Sequence, residues 1–274
     1  MKIALSITGF YGNKENPNAG DAGYAYLKEH IIDKYDTDVI IHSWNPELEG
    51  KLVEQYKPVT YSVQKNYDFK QMLAQEGVTQ EYFDVGFNRE ASPFKQCKLE
   101  YTASFLYGRW HTLKHIEDRK TIGGIDYDYV IATRFDIGQR GGDSVKHLKF
   151  DPELDPQYIY SAQWNQHNAG YADMWFWSNP ENMSKLGEAY PEMEKHFKPN
   201  SQYEKAVTQG WPDSCMMDNN NNRDSGQFTN ERFLPEDQKA KQLMKYPLWQ
   251  CVNNHLYHKW FFMESGLYEK SKFL

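Results

Sequence analysis

The sequence predicts an α/β protein built on a mainly parallel sheet, and three observations carry that expectation. The run Tyr129-Val130-Ile131-Ala132-Thr133 is apolar and β-rich, as a strand buried on both faces must be. Two earlier runs, Lys2 to Thr8 and Thr37 to His42, share that character and are separated by a helix-length segment. Chemistry-bearing residues then stand where the runs stop: Gly9 and Phe10 after the first, His42 and Trp44 at the end of the second, Arg134 and Asp136 after the third. In open α/β sheets that end of the strand faces the ligand crevice.

The elements follow in order. Lys2 to Thr8 is the first strand, and its Gly9-Phe10-Tyr11-Gly12 turn lets the backbone approach a ligand closely. There is no GxGxxG fingerprint, which leaves a dinucleotide site unsupported. Asp21 is expected to cap a helix from Ala22 to Tyr35, whose Tyr24, Leu27, Ile31 and Ile32 share one face. Thr37 to His42 is the second strand. Its His42 and Trp44 either bond and stack on a ligand or fill the core and cap a turn. Glu47 to Tyr56 is a short helix that leads into a third strand near Tyr61. Asp68 to Pro93 shows no clean period and is expected to cross the active face. Phe94 to Glu117 is a long helix, with Leu99, Ala103, Leu106, Trp110, Leu113 and Ile116 at three- and four-residue steps. Arg109 and His111 flank that stripe, where they either reach a ligand or form a solvated face. Gly123-Gly124 hands the chain to the Tyr129 strand.

Further on, Tyr158 to Ala162 is a strand candidate. The segment Asn165 to Ser178 runs from a polar loop through Asp173 into the aromatic strand Met174-Trp175-Phe176-Trp177. Ser178-Asn179-Pro180 is expected to cap a helix running to Phe197. The asparagine run between Asp218 and Asp224 is of low complexity, and Glu231 follows it. The tail, Leu248 to Leu274, is aromatic and basic. It either packs on the sheet or walls the acceptor side.

Composition narrows the function classes. A length of 274 residues allows one substantial core. A formal charge of −7 argues against nucleic acid as the main partner, since a basic patch would be needed. Twenty Tyr and eight Trp suit either a carbohydrate site or a tyrosine-rich core. Cys97, Cys215 and Cys251 are odd in number and lack a CxxC, so a reducing cytosol is the expected compartment. No segment is long and apolar enough to span a membrane, and the N-terminus is read as a core strand, not a signal peptide.

Several of these segments together resemble the small soluble GT-A-fold glycosyltransferases of bacterial polysaccharide clusters and large DNA viruses. The resemblance rests on the first apolar strand ending in Gly, on Asp38-Val39-Ile40-Ile41-His42-Ser43-Trp44, on a helix carrying Ser104 and Tyr107, on Tyr127-Asp128-Tyr129-Val130-Ile131-Ala132-Thr133-Arg134-Phe135-Asp136-Ile137, on Asp173 to Ser178, and on Glu231. It covers about residues 1–235. It departs at the first Gly turn, which lacks a Gly-x-x-Arg pattern, and in the tail, which has no counterpart.

The resemblance implies one GT-A-like (Rossmann-like) domain over 1–274, with a mixed, mainly parallel sheet flanked by helices. Residues 1–138 would bind the nucleotide sugar and residues 139–274 the acceptor. The implied activity is transfer of a sugar from a nucleoside-diphosphate sugar, UDP being common in the fold, to a glycan or glycoprotein acceptor in the cytoplasm. Donor contacts would come from Thr8, Gly9, Phe10, His42, Trp44, Arg109, Thr133, Arg134 and Asp136. Asp126 and Asp128 match the usual Asp-x-Asp metal motif, but they precede the strand, roughly 20 Å from its ligand end. Asp136 is therefore the expected ligand of Mn²⁺ or Mg²⁺, which would stabilise the leaving diphosphate as a Lewis acid. Arg134 either meets the diphosphate or orients Asp136. Inverting transfer also needs a base. Asp173 is the first candidate and Glu231 the second; Asp173 alternatively only hydrogen-bonds a sugar. The rival readings are a non-catalytic carbohydrate- or nucleotide-binding protein and a phosphoryl or nucleotidyl transferase, the latter without Walker or kinase motifs.

Overall fold

The structure is a computed structural model that describes residues 1–12, 15–92, 95, 97–139, 143–163, 170–211 and 245–274. Seven strands form one sheet in the order β3-β2-β1-β4-β6-β5-β7. They are β1 (Lys2–Gly9), β2 (Asp36–Ser43), β3 (Thr60–Val63), β4 (Tyr129–Arg134), β5 (Ile159–Ser161), β6 (Trp175–Ser178) and β7 (Ser271–Phe273). β1, β2, β3 and β4 are mutually parallel, and β6 runs antiparallel to both β4 and β5. β7 closes the edge parallel to β5, so the sheet is mixed, mostly parallel and continuous across both halves of the chain.

Strand alternation sorts the side chains onto two faces. Ile3, Leu5, Ile7, Val39, Ile41, Tyr129 and Ile131 pack with Trp175 and Trp177 on one face. That face is covered by α1 (Asp21–Leu27), continued as one π-helical turn over Lys28–Ile32, and by α2 (Glu49–Tyr56). Ala4, Ile40, Val130, Ala132 and Phe176 pack on the other face. There the 23-residue helix α5 (Leu99–Thr121) lies across β1 and β2, joined by α7 (Pro180–Gly187), α8 (Ala189–His196), α9 (Gln202–Gln209) and α10 (Asn254–Glu264). Helices on both faces of a parallel sheet explain why β1 and β4 read as almost unbroken apolar runs.

Several local expectations are revised. Asp21 does not cap α1; Gly20 holds the N-cap position, and the Asp21 carboxylate instead takes the Tyr11 hydroxyl and Lys51. The aperiodic stretch after Asp68 contains two short helices, α3 (Phe69–Gln75) and α4 (Gln80–Phe83). Asp68 and Thr79 cap them by accepting from the amides of Gln71 and Tyr82. A four-residue helix, α6 (Asp143–Lys146), follows the β4 turn. The single helix expected after Asn179 breaks at Gly187–Ala189 into α7 and α8, while Asn179 caps α7 as expected. The tail packs on the sheet through α10 and β7. Asp128 sits at the start of β4, bound to the Lys2 amide at 2.6 Å, which places it at the sheet end opposite Arg134.

Candidate functional site

The strand order turns around at β1, with β2 on one side and β4 on the other. The crevice outside the carboxyl ends of such a pair is where open α/β sheets place ligands. β1 ends here at Gly9 and β4 at Arg134, with Thr8 opposite both Arg134 and His42 in register. Gly9 has φ +114°, a conformation that favours glycine, and Phe10 beside it is 56% exposed. The turn beyond is fixed from β2. Asn45 Oδ1 accepts from the Tyr11 amide at 2.8 Å, and Asn45 Nδ2 donates to the Gly12 carbonyl at 2.9 Å.

Antiparallel pairing delivers the second carboxylate. Thr133 lies opposite Trp175, so the chain entering β6 brings Asp173 beside the turn that leaves β4. Arg134 joins the two acids. Its Nε and Nη2 donate to the two oxygens of Asp136, each at 2.9 Å, and its Nη1 donates to Asp173 Oδ2 at 2.9 Å. Asn254, near the start of α10, donates to the same Asp173 oxygen at 2.7 Å. His255 Nδ1 lies 4.0 Å from Asp173 Oδ1 and 2.8 Å from the Tyr171 carbonyl, to which it donates. Gly170 permits this meeting, since a Cβ there would stand 2.0 Å from the His255 carbonyl oxygen. Gly23 does the same on the other side, letting α1 approach the Phe135 carbonyl.

Beneath these groups lies a buried layer. Arg109 is 1% exposed, with its guanidinium between the rings of Phe105 and Phe176, 4.4 and 4.9 Å from their centroids. Arg109 Nη2 donates to the Asp173 carbonyl at 2.9 Å, and Nη1 lies 2.8 Å from His258 Nε2. His258 Nδ1 is 2.6 Å from the Asn254 carbonyl. A carbonyl only accepts, so the proton of His258 is on Nδ1 and its Nε2 accepts from Arg109. Asn254, His258, Arg109 and Asp173 thus close a hydrogen-bonded ring drawn from α10, α5 and the entry to β6.

The electrostatics follow from that ring. Burial raises the proton affinity of Asp173, but Arg134, His255 and Arg109 outweigh it and hold the carboxyl well below the usual carboxylate range. Burial lowers Arg109 to about 9 against the pull of Asp173. Burial, reinforced by Arg109, lowers His258 to about 3, so the ring stays neutral. Two guanidiniums and two carboxylates leave the cluster with no net charge.

The sequence-derived candidates therefore divide. Arg134, Asp136 and Asp173 come together, and Gly9 and Phe10 follow Thr8, the register partner of Arg134, at the same end of the sheet. His42 and Trp44 do not present ring faces there: they are 0% and 4% exposed, because α5 packs over the end of β2. Their rings meet edge-on at 4.3 Å, with Tyr107 against both. Arg109 is neither solvated nor at the mouth, but forms the floor under Asp173. Thr8 is 2% exposed and faces Gly108 of α5. Thr133 is fully buried and donates to the Met174 carbonyl at 3.0 Å, fastening β6 to β4. Glu231 lies outside the described residues. Sequence reading missed Asn254, His255 and His258. Their only signal was a polar N-H-x-x-H pattern inside an otherwise aromatic tail.

Both Asp136 oxygens accept from Arg134, so a divalent cation there would share its carboxylate with a guanidinium. Among the described residues no group of three or more His, Cys, Asp or Glu side chains is disposed to hold a metal. Two surface hollows lie away from the cluster. One, of about 380 Å³, is lined by Tyr26, His30 and His147; the other, of about 520 Å³, by Lys70, Asp84 and Arg89. Neither includes a strand-end residue, and the convergence of charged side chains at the switch point marks the better candidate. Comparison of the chain with protein-family models and with curated proteins finds no match.

Proposed function

We propose that this chain is a glycosyltransferase that moves a sugar from a nucleoside-diphosphate sugar to a hydroxyl of a glycan acceptor. The observation that carries the reading is the meeting of Arg134, Asp136 and Asp173 at the carboxyl ends of the parallel strands, from segments 37 or more residues apart in sequence. The mixed, mostly parallel, helix-flanked sheet is the architecture the resemblance implies. In the transfer, the bond from the anomeric carbon to the diphosphate oxygen breaks, and its electron pair leaves with the diphosphate. A bond from that carbon to the acceptor oxygen forms, and the acceptor hydroxyl proton passes to a base or to the departing phosphate.

Asp173 suits the role of hydrogen-bond acceptor to a sugar hydroxyl better than that of base, because Arg134 and Asn254 hold its carboxylate and depress its proton affinity. Arg134 is the part-exposed guanidinium of the cluster, whereas Arg109 is buried. UDP as the donor nucleotide, a cytoplasmic setting and a glycan or glycoprotein acceptor belong to the same proposal. Among the described residues no helix is long and apolar enough to cross a membrane, and Cys97 and Cys251 are free thiols.

A second reading, non-catalytic binding of a carbohydrate, draws on the charge balance of the cluster, which suits a neutral hydroxyl-rich ligand. Release of nucleoside diphosphate from a panel of nucleotide sugars separates the two. Multiple turnovers with one donor support transfer, and saturable binding with no released diphosphate supports the second reading.

A further inference from the structure

We infer that Arg134 is itself the resident cation of the Asp136–Asp173 cluster, and that Asp136 binds no divalent metal there. The inference deepens the proposed transferase, and only its nucleotide arm rests on that reading.

Three observations lead to it. The first is occupancy of the donor atoms. Asp136 offers two oxygens, and each accepts from a different nitrogen of one guanidinium at 2.9 Å. This bidentate geometry is among the strong ways a carboxylate meets a cationic side chain, and it engages both oxygens of the one acid that would have to ligate a metal. The second is bridging. The same guanidinium reaches Asp173 Oδ2 at 2.9 Å, so it stands between the two acids, where a shared ion would otherwise be drawn. The third is charge. Arg109 lies beneath, bonded to the Asp173 main chain, and brings the cluster to two positive and two negative groups. A divalent ion would add two positive charges beside two guanidiniums, with no carboxylate in excess in the cluster among the described residues.

Position explains why arginine has this effect. Arg134 is the last residue of β4, and its Cζ lies 5.8 Å from the ring centroid of Phe105 on α5. Asp136 follows two residues later in the turn, which brings the two side chains together at 2.9 Å. A carboxylate at position 134 would pair with Asp136 and Asp173 to give three acids around one point. Arginine there converts a cation-recruiting cluster into a self-neutralised one. Burial acts against the charge on Arg134, but Asp173 and Asp136 outweigh it and hold the guanidinium above the ordinary arginine range, so its charge persists with pH.

The test begins with Mn²⁺ titrated into the wild-type protein and followed by electron paramagnetic resonance of the free ion. The expected result is no saturable loss of the free-ion signal. Saturable one-site binding that disappears in Asp136→Asn would overturn the inference. Arg134→Asp, which creates Asp-x-Asp, is expected to gain one-site Mn²⁺ binding; a folded Arg134→Asp that gains none refutes the claim that the guanidinium keeps metal out. If that variant does not fold, the wild-type titration decides alone. Thermal shifts with nucleotide sugars, run in EDTA and then in Mn²⁺, add an independent arm. An equal shift in both supports the inference, whereas a shift only in Mn²⁺ overturns it and leaves the transferase standing. No shift in either condition counts against the transferase, while the Mn²⁺ titration still decides the question of the metal.

Discussion

Two polar clusters lie against α5, one toward β1 and β2 and the other toward β6 and α10, and they are built on opposite terms. In the first, Thr8 Oγ1, His42 Nδ1 and His111 Nδ1 are buried without a hydrogen-bond partner among the described residues. Their surroundings are the rings of Trp44 and Tyr107. In the second, Arg109, His258, Asn254, Asp173 and Arg134 are linked bond to bond, although Arg109 Nε also lacks a partner. The first cluster is tolerable because every group in it is neutral: burial holds His42 at about 3 and His111 at about 4. The second carries full charges, which stay buried only when they are paired. The second cluster buries one guanidinium and one carboxylate, Arg109 and Asp173, beneath a part-exposed Arg134 at a strand end.

The contrast can be broken or sharpened by substitution. The largest effect is expected from Arg109→Ala. It leaves His258 Nε2 and the Asp173 carbonyl unmet and opens a gap between Phe105 and Phe176, so chemical denaturation should show a loss of about 3–5 kcal/mol. Arg109→Met, which refills the space, should lose less. An equal loss for both would mean that charge and bonding matter more than packing at this position.

Acid should act next, through both clusters. His42 and His258 bind protons near 6.5 when unfolded and near 3 when folded. The unfolded state therefore takes up more protons, and stability is complete above about 6.5 and falls as the pH drops toward 3. Each ring should cost on the order of 2 kcal/mol by pH 5. Asp173 adds a loss that starts only below its ordinary 3.8. Melting curves from pH 8 to pH 4 check this, and His42→Gln should flatten the first part of the decline.

Gly108→Ala follows. A Cβ there would meet Thr8 Oγ1 at 2.1 Å and His42 Nδ1 at 3.0 Å, costing about 1–3 kcal/mol, and Thr8→Ala in the same chain should recover most of it. The smallest and sharpest pair is Thr8→Val against Thr133→Val. The Thr8 hydroxyl has no partner among the described residues, so its removal should be neutral or stabilising. Thr133 donates to the Met174 carbonyl, and its loss should cost about 1 kcal/mol. Equal costs would erase the contrast between the clusters.

Much of the fold was legible in the sequence because burial on both faces writes itself as unbroken apolar runs, as at β1 and β4. The position of Arg134 and Asp136 was legible too, since charges following such a run stand at its end. What stayed hidden was long-range. Nothing local to Asn254 or His258 reports that α10 will lie beside Asp173, some 80 residues earlier in the chain. Nor does the period of α5 show that Arg109 points inward: its stripe is wide enough that a flanking residue is covered by β6 and α10. His42 and Trp44 were ambiguous for a related reason, because a strand end is open or closed according to which helix crosses it.

The most direct test of the central claim is release of nucleoside diphosphate by the purified protein from a panel of nucleotide sugars, in EDTA and with a glycan acceptor mixture. Turnover is expected with one donor family, retained in EDTA and lost in a folded Arg134→Met variant. Folded wild-type protein that neither binds nor turns over any nucleotide sugar, with or without Mn²⁺, would contradict it.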